Sequence, residues 1–177
     1  MARRRPLHQL LQPNWVVNGT LAQLPLDALI ARPAGPIRAL VLDVDRTLLP
    51  RRRSALPEPA RRWLEQAKSR MPIHLLSNNP SRARIGAVAQ QLDLPFTTAA
   101  GKPRRSALRR VLQQLDLPHH QVALVGDRRF TDVIAGNRLG LFTVLVRPID
   151  PDGLPCRRDR LQRLELQMAR WVGTTLA

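Results

Sequence analysis

Short apolar runs alternate with helical patterns along this chain, and that alternation limits the folds it can adopt. The run at residues 37–43 is interrupted only by Arg38, which is typical of a strand buried on both faces of a parallel sheet. Further strands are predicted at 73–76, 95–98, 121–125 and 141–146, and helices at 57–70, 81–92, 103–115, 131–139 and 158–171. Strands separated by helices of this length predict an α/β fold with a doubly wound, Rossmann-like parallel sheet.

Aspartates follow two of the predicted strands. Asp43 and Asp45 end the first run, while Asp127 follows the strand at 121–125 and Asp132 lies at the start of the next helix. In an open α/β sheet the carboxyl ends of the strands meet at one edge, where ligands bind. Carboxylates brought together at that edge repel each other unless a cation neutralises them. The pattern therefore predicts a Mg²⁺ site.

Three further polar residues belong to the same predicted edge. Ser77 and Asn78 follow the second strand and could bind a phosphate, and Lys102 directly precedes a helix. A carboxylate can attack phosphorus while its neighbour moves a proton to the leaving oxygen, and an ammonium group can neutralise the transferring phosphoryl group. Taken singly, each residue also fits a solvated loop, a helix cap or an exposed lysine. Their order along the chain favours one phosphoryl-transfer site.

Together these segments resemble the four motifs of the haloacid dehalogenase (HAD) superfamily of phosphatases. Residues 126–140 and 143–149, with 11–17 and 24–26 near the N-terminus, are similar to the bacterial YqeG family of HAD subclass IIIA. The similarity extends over about residues 10–171. Relatives of that family in mitochondria and plastids act as phosphatidylglycerophosphate phosphatases, and this chain resembles that wider group.

The resemblance implies a role for each site residue. Asp43 matches the nucleophile and Asp45 the general acid/base, whose main-chain carbonyl also binds magnesium. Ser77 matches the phosphate-binding hydroxyl, Lys102 the catalytic lysine, and Asp127 and Asp132 the remaining metal carboxylates. Thr47 and Asn78 are further candidate substrate contacts. Arg46 stands where the family usually has asparagine, and Arg128 and Arg129 replace a glutamine and an aliphatic residue. The position of Arg46 varies across the superfamily, whereas the changes at Arg128 and Arg129 could alter substrate contacts or metal affinity.

Composition narrows the setting in which this site works. The 29 Lys+Arg against 13 Asp+Glu give a net charge of +16, which attracts nucleic acid, anionic membranes and phosphorylated substrates. An aromatic content of 3% disfavours single-strand RNA binding by base stacking, so no dedicated nucleic-acid partner is expected. The lone Cys156 fits a reducing compartment. We expect a cytoplasmic protein, peripheral on the inner face of the membrane, with one domain over 1–177: an N-terminal extension (1–35), a catalytic core (37–150) and a C-terminal helix (157–172).

The intervals between the motifs predict an open site. Segments 48–76 and 80–101 are too short to hold a separate cap domain, so a large substrate or a surface would have to complete the enclosure. The C-terminal helix offers one such surface. Arginines 157, 158, 160, 163 and 170 flank an apolar series at helical spacing, formed by Leu161, Leu164, Met168 and Trp171. That face either packs on the sheet, which is the commoner arrangement, or lies on anionic lipid, and Trp15 is a second candidate anchor.

Three functional hypotheses follow. The leading one is a Mg²⁺-dependent phosphomonoester hydrolase with an aspartyl-phosphate intermediate, which converts phosphatidylglycerophosphate to phosphatidylglycerol. A second keeps this chemistry but assigns a soluble or protein phosphate as the substrate. A third is a basic RNA- or ribosome-associated protein with an idle HAD-like site. The clustered carboxylates argue against the third hypothesis, because mutual repulsion would destabilise the fold without any use.

Overall fold

A computed structural model describes residues 6–50, 53, 55–156 and 159–173 of this protein. Its helices are α1 (Leu7–Leu10), α2 (Leu26–Ile30), α3 (Glu58–Lys68), α4 (Arg82–Leu92), α5 (Ser106–Leu115), α6 (Ile134–Asn137) and α7 (Arg160–Trp171). Its strands are β1 (Trp15–Val16), β2 (Ala39–Leu42), β3 (Ile73–Leu76), β4 (Phe96–Thr97), β5 (Val122–Gly126) and β6 (Phe142–Leu145). Arg157 and Arg158, at the start of the predicted last helix, lie outside the described residues.

The strands form one sheet in the order β1-β6-β5-β2-β3-β4, and every pairing is parallel. This arrangement confirms the predicted α/β class. The strand order reverses at β2, which lies between β5 and β3, so the carboxyl end of β2 is the place where a doubly wound sheet opens a crevice. Leu42 lies opposite both Val125 and Leu75, which brings the three strand ends level with one another.

Helices cover both faces of the sheet because side chains along a buried strand alternate in direction. From β2, Leu40 and Leu42 point into the larger core cluster with residues of α3 and α4. Ala39 and Val41 point the other way, into a second cluster built from α5 and α6. In the described part of the chain, the β2–β3 and β3–β4 connections each contain a single α-helix, α3 and α4 respectively.

The N-terminal segment adds an edge strand that the sequence did not reveal. Trp15 and Val16 pair in parallel with Val144 and Leu145 of β6. Asn14 strengthens the junction, since its side-chain oxygen accepts from the Thr143 N–H at 2.8 Å. Trp15 is partly buried and packs against the main core, so the prediction that it anchors the protein at an interface is wrong.

Helix α7 docks with a face that lies beside the one that apolar spacing favours. Glu165 and Ala169 are its buried residues, while Leu161, Leu164, Met168 and Trp171 are exposed. The commoner interpretation, in which the apolar series packs on the sheet, is therefore wrong. Among the helices that the structure describes, none combines the length and the apolar character needed to cross a membrane.

Candidate active site

A cleft of about 460 Å³ opens at the carboxyl ends of β2, β3 and β5. The side chains that line it come from the strand ends, the lysine loop and the N-terminal end of α7: Asp43, Asp45, Arg46, Ser77, Asn78, Lys102, Asp127, Arg128, Thr131, Asp132, Asp159, Arg160 and Leu161. Every predicted site residue except Thr47 is in this set. The topology of the sheet thus brings together motifs that are distant in sequence.

A buried ion cluster occupies the floor of the cleft. Lys102 Nζ lies 2.6 Å from Asp43 Oδ1 and 2.7 Å from Asp132 Oδ1, and it donates a hydrogen bond to the Leu76 carbonyl at 2.9 Å. The Lys102 side chain is only 1% exposed. Because a buried ammonium needs compensating charge, the lysine and the two carboxylates hold one another in place.

Asp45 has different partners and points toward the opening of the cleft. Its carboxylate accepts a hydrogen bond from the Ser77 hydroxyl at 3.1 Å and forms an ion pair with Arg84 of α4. Its side chain is 34% exposed, whereas that of Asp43 is 10% exposed. A more accessible carboxylate beside a buried one suits a group that exchanges protons with the leaving oxygen and with water.

Two predicted substrate contacts have other partners in the structure. Thr47 is fully buried, and its hydroxyl donates to Asp43 Oδ2 at 3.0 Å, so it orients Asp43 and does not reach the cleft. Asn78 does line the cleft, but its amide is bonded to the backbone of Lys102. The Asn78 Oδ1 accepts from the Lys102 N–H at 2.7 Å, and Nδ2 donates to the Lys102 carbonyl at 3.0 Å. Asn78 therefore fixes the position of the lysine loop.

The segment after β5 brings two more carboxylates to the cluster. A Cβ atom at Gly126 would overlap the Asp132 carboxylate, so glycine is required for this close approach. The chain then forms a π-helical turn at Arg129–Val133, where a regular helix was predicted from residue 131. Asp132 Oδ2 accepts from the Arg128 N–H and the Thr131 hydroxyl, both at 3.2 Å. A π-helical turn is wider than an α-helical one, and such turns occur frequently at functional sites.

Asp43, Asp127 and Asp132 fit a small divalent cation. Each offers a carboxylate oxygen, and these oxygens lie within 4.8 Å of one another. Asp127 Oδ1 is buried and finds no hydrogen-bond donor among the residues described. Carboxylate oxygens are the ligands that Mg²⁺ prefers, so the residues suit the predicted metal. The main-chain contact of Asp45 to magnesium stays a prediction, and its carboxylate lies outside this cluster.

Electrostatics in the cleft also favour an added cation. Burial raises the pKa of Asp43 to about 6, although the Lys102 ammonium acts in the opposite direction. Burial, with Asp43 and Asp132 nearby, raises the pKa of Asp127 well above its usual value. Burial by itself would lower the pKa of Lys102, but Asp132 and Asp43 raise it on balance, so the lysine stays charged. Lys102, together with the weaker effects of Arg46 and Arg128 on Asp127, therefore does not fully compensate the three carboxylates.

The backbone at Arg46 has a conformation that suits asparagine, the residue usual at this position in the family that the sequence resembles. Its φ of +70° lies in the left-handed region, which asparagine adopts more readily than other side chains with a Cβ. The guanidinium contacts two acids: Nε lies 3.7 Å from Asp127 Oδ2, and the group pairs closely with Asp159, the N-cap of α7. Arg46 therefore links the metal-binding carboxylates to the start of α7.

Arg128 and Arg129 do not act alike. Arg128 lines the cleft and its Nε donates to Glu165 at 3.2 Å. Arg129 is 6% exposed and points away, donating to the Leu11 carbonyl at 3.2 Å. Its backbone N–H donates to Glu165 at 2.9 Å. The expectation that Arg129 alters substrate contacts is therefore wrong, because its side chain joins the N-terminal segment to the motif.

Sequence reasoning missed the residues that support this site from other elements. They are Arg84 of α4, which pairs with Asp45, and Asp159, Gln162 and Glu165 at the N-terminal half of α7. Gln162 donates to the Asp127 carbonyl at 3.1 Å. Of these residues, only Glu165 could have been noticed in the sequence. It is the one acidic residue within an arginine-rich helix, so an ion pair with a basic side chain could have been predicted for it.

We expect Asp127→Asn to stabilise the metal-free protein at neutral pH. The pKa of Asp127 is raised in the folded state, so folding is favoured by protonation of this group. This contribution of Asp127 to the free energy of unfolding is complete below its pKa in the unfolded state, which is about 4. It is lost as the pH rises through its pKa in the folded state. In chelator, the stability advantage of the variant should therefore be small near pH 4 and grow toward pH 8. Urea unfolding of both proteins across this range measures it, and a variant less stable than wild type at pH 8 would make Asp127 a structural residue.

Known proteins are similar to this chain over the segments that form the site. A family model described as HAD-hydrolase-like matches residues 99–148, which include Lys102, Asp127 and Asp132. The Bacillus subtilis protein Probable phosphatase YqeG is 31% identical over 126 residues, covering 70% of this chain and 73% of that protein. Phosphatidylglycerophosphate phosphatase 1, chloroplastic/mitochondrial, of Arabidopsis thaliana is 42% identical over 53 residues, which are 29% of this chain and 15% of the plant protein.

A solved structure supports the fold. The crystal structure of a candidate HAD-like phosphatase from Mesorhizobium loti superimposes with a TM-score of 0.50 and 18% sequence identity. It covers 80% of this chain and 90% of that one. At this identity the likeness concerns the arrangement of strands and helices, and it agrees with the doubly wound sheet described above.

Proposed function

This chain belongs to the YqeG-like family of HAD phosphatases, and we propose that it is a Mg²⁺-dependent enzyme that dephosphorylates phosphatidylglycerophosphate through an aspartyl-phosphate. One observation carries the chemistry: Asp43 stands at the carboxyl end of β2, held by Lys102 and Thr47, and lies beside the Asp127 and Asp132 carboxylates on the floor of the cleft. A fixed carboxylate beside cations is the arrangement that nucleophilic attack on phosphorus requires.

The proposed reaction has two steps. The Asp43 carboxylate attacks phosphorus, the ester P–O bond breaks, and Asp45 gives its proton to the leaving oxygen. In the second step Asp45 takes a proton from water, which attacks the aspartyl-phosphate, releases inorganic phosphate and restores Asp43. Because each carboxylate oxygen has two lone pairs, the contacts of Asp43 with Lys102 and Thr47 leave lone pairs for attack.

The other residues prepare the site for these steps. Lys102 neutralises charge on Asp43 and on the transferring group, and Ser77 and Arg84 hold the Asp45 carboxylate at the opening. Asp43, Asp127 and Asp132, with the main-chain carbonyl of Asp45, would hold Mg²⁺. Bound there, the ion supplies positive charge for the phosphoryl oxygens, as metal ions do in phosphoryl transfer. Arg128 and Arg160 add positive charge to the lining of the cleft.

Several features support a phospholipid substrate. The cleft is open, and the chain carries a net charge of +16, which attracts a phosphomonoester at an anionic surface. An exposed apolar helix face begins at the rim of the cleft, where Leu161 is part of the lining. The plant relative is named for this activity. A cytoplasmic protein that works at the inner face of the membrane is part of the same proposal.

A panel of phosphate esters tests the substrate. The panel contains phosphatidylglycerophosphate in mixed micelles, a small soluble phosphomonoester and a phosphoserine peptide, each assayed with Mg²⁺ and with excess chelator. We expect the highest kcat/KM on the lipid and loss of all turnover in chelator. A higher kcat/KM on the soluble ester or the peptide would reassign the substrate, whereas full turnover in chelator would remove the metal from the mechanism.

A further inference from the structure

Helix α7 has a polar side that is bound to the protein and an apolar side that is not. We define the α7 apolar face as Leu164, Met168 and Trp171, with Leu161 at its end nearest the cleft. Their exposed fractions are 51%, 46%, 93% and 37% in that order. Burying a large apolar side chain stabilises a protein by about 1.5–3 kcal/mol, so an exposed row of four indicates a surface that meets another apolar phase.

Polar contacts explain why the helix is held in this orientation. The buried Glu165 accepts from the Arg129 N–H at 2.9 Å and from Arg128 Nε at 3.2 Å. Gln162 donates to the carbonyls of Asp127 at 3.1 Å and Val146 at 3.2 Å. Rotating α7 to bury its apolar face would break these bonds and leave polar groups of the active-site loop unpaired, which is costly. The helix is thus fixed to the catalytic loop with its apolar face outward.

Positive charge borders the α7 apolar face. Arg160, Arg163 and Arg170 are exposed and form no ion pair with any residue that the structure describes. A helix with an apolar face and flanking arginines binds at the boundary between anionic headgroups and acyl chains. A second copy of this chain would bring like charges together, and RNA would leave the apolar side chains in water. Charge complementarity therefore favours anionic lipid.

The same face has a defined position relative to the site. Leu161 belongs both to the apolar face and to the lining of the cleft, and Asp159, the N-cap of α7, is paired with Arg46. From Leu161 to Trp171 a helix rises about 15 Å. We propose that the α7 apolar face is the lipid-docking surface of this enzyme, which inserts at anionic bilayers and holds the cleft against the headgroups. This docking role rests on the proposed function, because it serves an enzyme whose substrate is a lipid.

Vesicle binding by the full chain tests the docking surface without using catalysis. The probes are vesicles of phosphatidylcholine with and without phosphatidylglycerol, neither of which carries a phosphomonoester. We expect binding only to the anionic vesicles, weakening as salt rises. Trp171→Ser combined with Met168→Ser should weaken it by at least about tenfold. Replacing Arg160, Arg163 and Arg170 with glutamine should weaken it by roughly fivefold per residue.

Matched control variants distinguish binding through this surface from binding caused by the overall positive charge or by any exposed apolar side chain. Arg105, Arg109 and Arg110 lie on or beside α5 and are also exposed, so their replacement by glutamine removes the same charge elsewhere. Leu154→Ser removes a leucine that is 60% exposed outside α7. Both control variants should bind as wild type does. Equal losses in control and α7 variants, or equal binding of wild type to neutral and anionic vesicles, would overturn the proposal.

Other readouts identify a different occupant. If Trp171→Ser converts a dimer to a monomer in sedimentation velocity, or if the chain binds RNA but not vesicles, the proposal is wrong. Turnover of a small soluble phosphate ester should be unchanged in the Trp171→Ser, Met168→Ser variant, since neither residue lines the cleft. Vesicle binding without lipid turnover would retain the docking surface and reject only the substrate, so the two failures are distinguishable.

Discussion

Asp43→Asn is expected to abolish phosphatase turnover while the protein stays folded. An amide is a poor nucleophile, so the aspartyl-phosphate cannot form, and removal of an enzyme's nucleophile costs at least about 10⁴-fold in kcat. The substitution is nearly isosteric, and its oxygen can still accept from Thr47 or Lys102, which contact Asp43 at 3.0 and 2.6 Å. The loss should therefore be chemical, and the circular dichroism spectrum should match that of wild type.

Two measurements make this result specific. Asp93→Asn, at a residue whose side chain is 98% exposed, makes the same chemical change away from the cleft and should keep full activity. Mass spectrometry of acid-quenched protein should detect a phosphate adduct on wild type during turnover and none on Asp43→Asn. An adduct on the variant, or turnover within tenfold of wild type, would assign the nucleophile elsewhere.

The sequence predicted the sheet and the position of the site for one physical reason. Strands buried on both faces must be apolar throughout, so β2 and β5 were visible as continuous runs. The polar residues that follow such runs can only lie at the carboxyl edge of the sheet. Asp43, Asp45, Asp127 and Lys102 could therefore be grouped from their order along the chain, and the structure brings them into one cleft.

What the sequence did not reveal depends on contacts between distant segments. Strand β1 has two residues, too few to show any periodicity, and it exists because it pairs with β6. Arg84 lies 39 positions from Asp45, and its pairing with that acid follows from how α4 packs beside β2.

The orientation of α7 was hidden for a similar reason. Apolar spacing predicts which residues share a face, but it cannot show that a glutamate beside that face will be buried. Glu165 is 3% exposed because the backbone and side-chain donors of residues 128 and 129 compensate its charge. Those donors belong to a π-helical turn that no periodic pattern indicates. Satisfaction of buried polar groups here outweighed the burial of apolar side chains.

Lys102→Met is expected to have the largest effect on stability and to remove activity as well. The ammonium group contacts Asp43, Asp132 and the Leu76 carbonyl, and its side chain is 1% exposed. Removing one partner of a buried ion pair typically costs about 3–5 kcal/mol, because the remaining charge is left without compensation. Turnover should fall by at least about 10³-fold, since a group that stabilises the transferring charge is lost.

The loss of stability in Lys102→Met is expected to depend on pH. Without Lys102 the Asp43 carboxylate can avoid charge repulsion by binding a proton, and its pKa is already about 6 in the wild type. The stability difference between wild type and variant should therefore be smaller at pH 5 than at pH 8. Millimolar Mg²⁺ should recover part of the stability at pH 8 without recovering turnover, because the ion replaces the charge but not the position of the ammonium.

Lys68 supplies the matched control, since it is the other lysine of the chain. Its ammonium bonds the Leu92 carbonyl at 2.7 Å and pairs with Asp93 on the surface, where its side chain is 42% exposed. Lys68→Met should cost about 1 kcal/mol or less and leave turnover intact. Chemical denaturation of both variants compares the two lysines directly. If Lys102→Met is no less stable than Lys68→Met, the charge of Lys102 is not what holds the carboxylates together. The proposal that this ion cluster is the centre of catalysis would then be wrong.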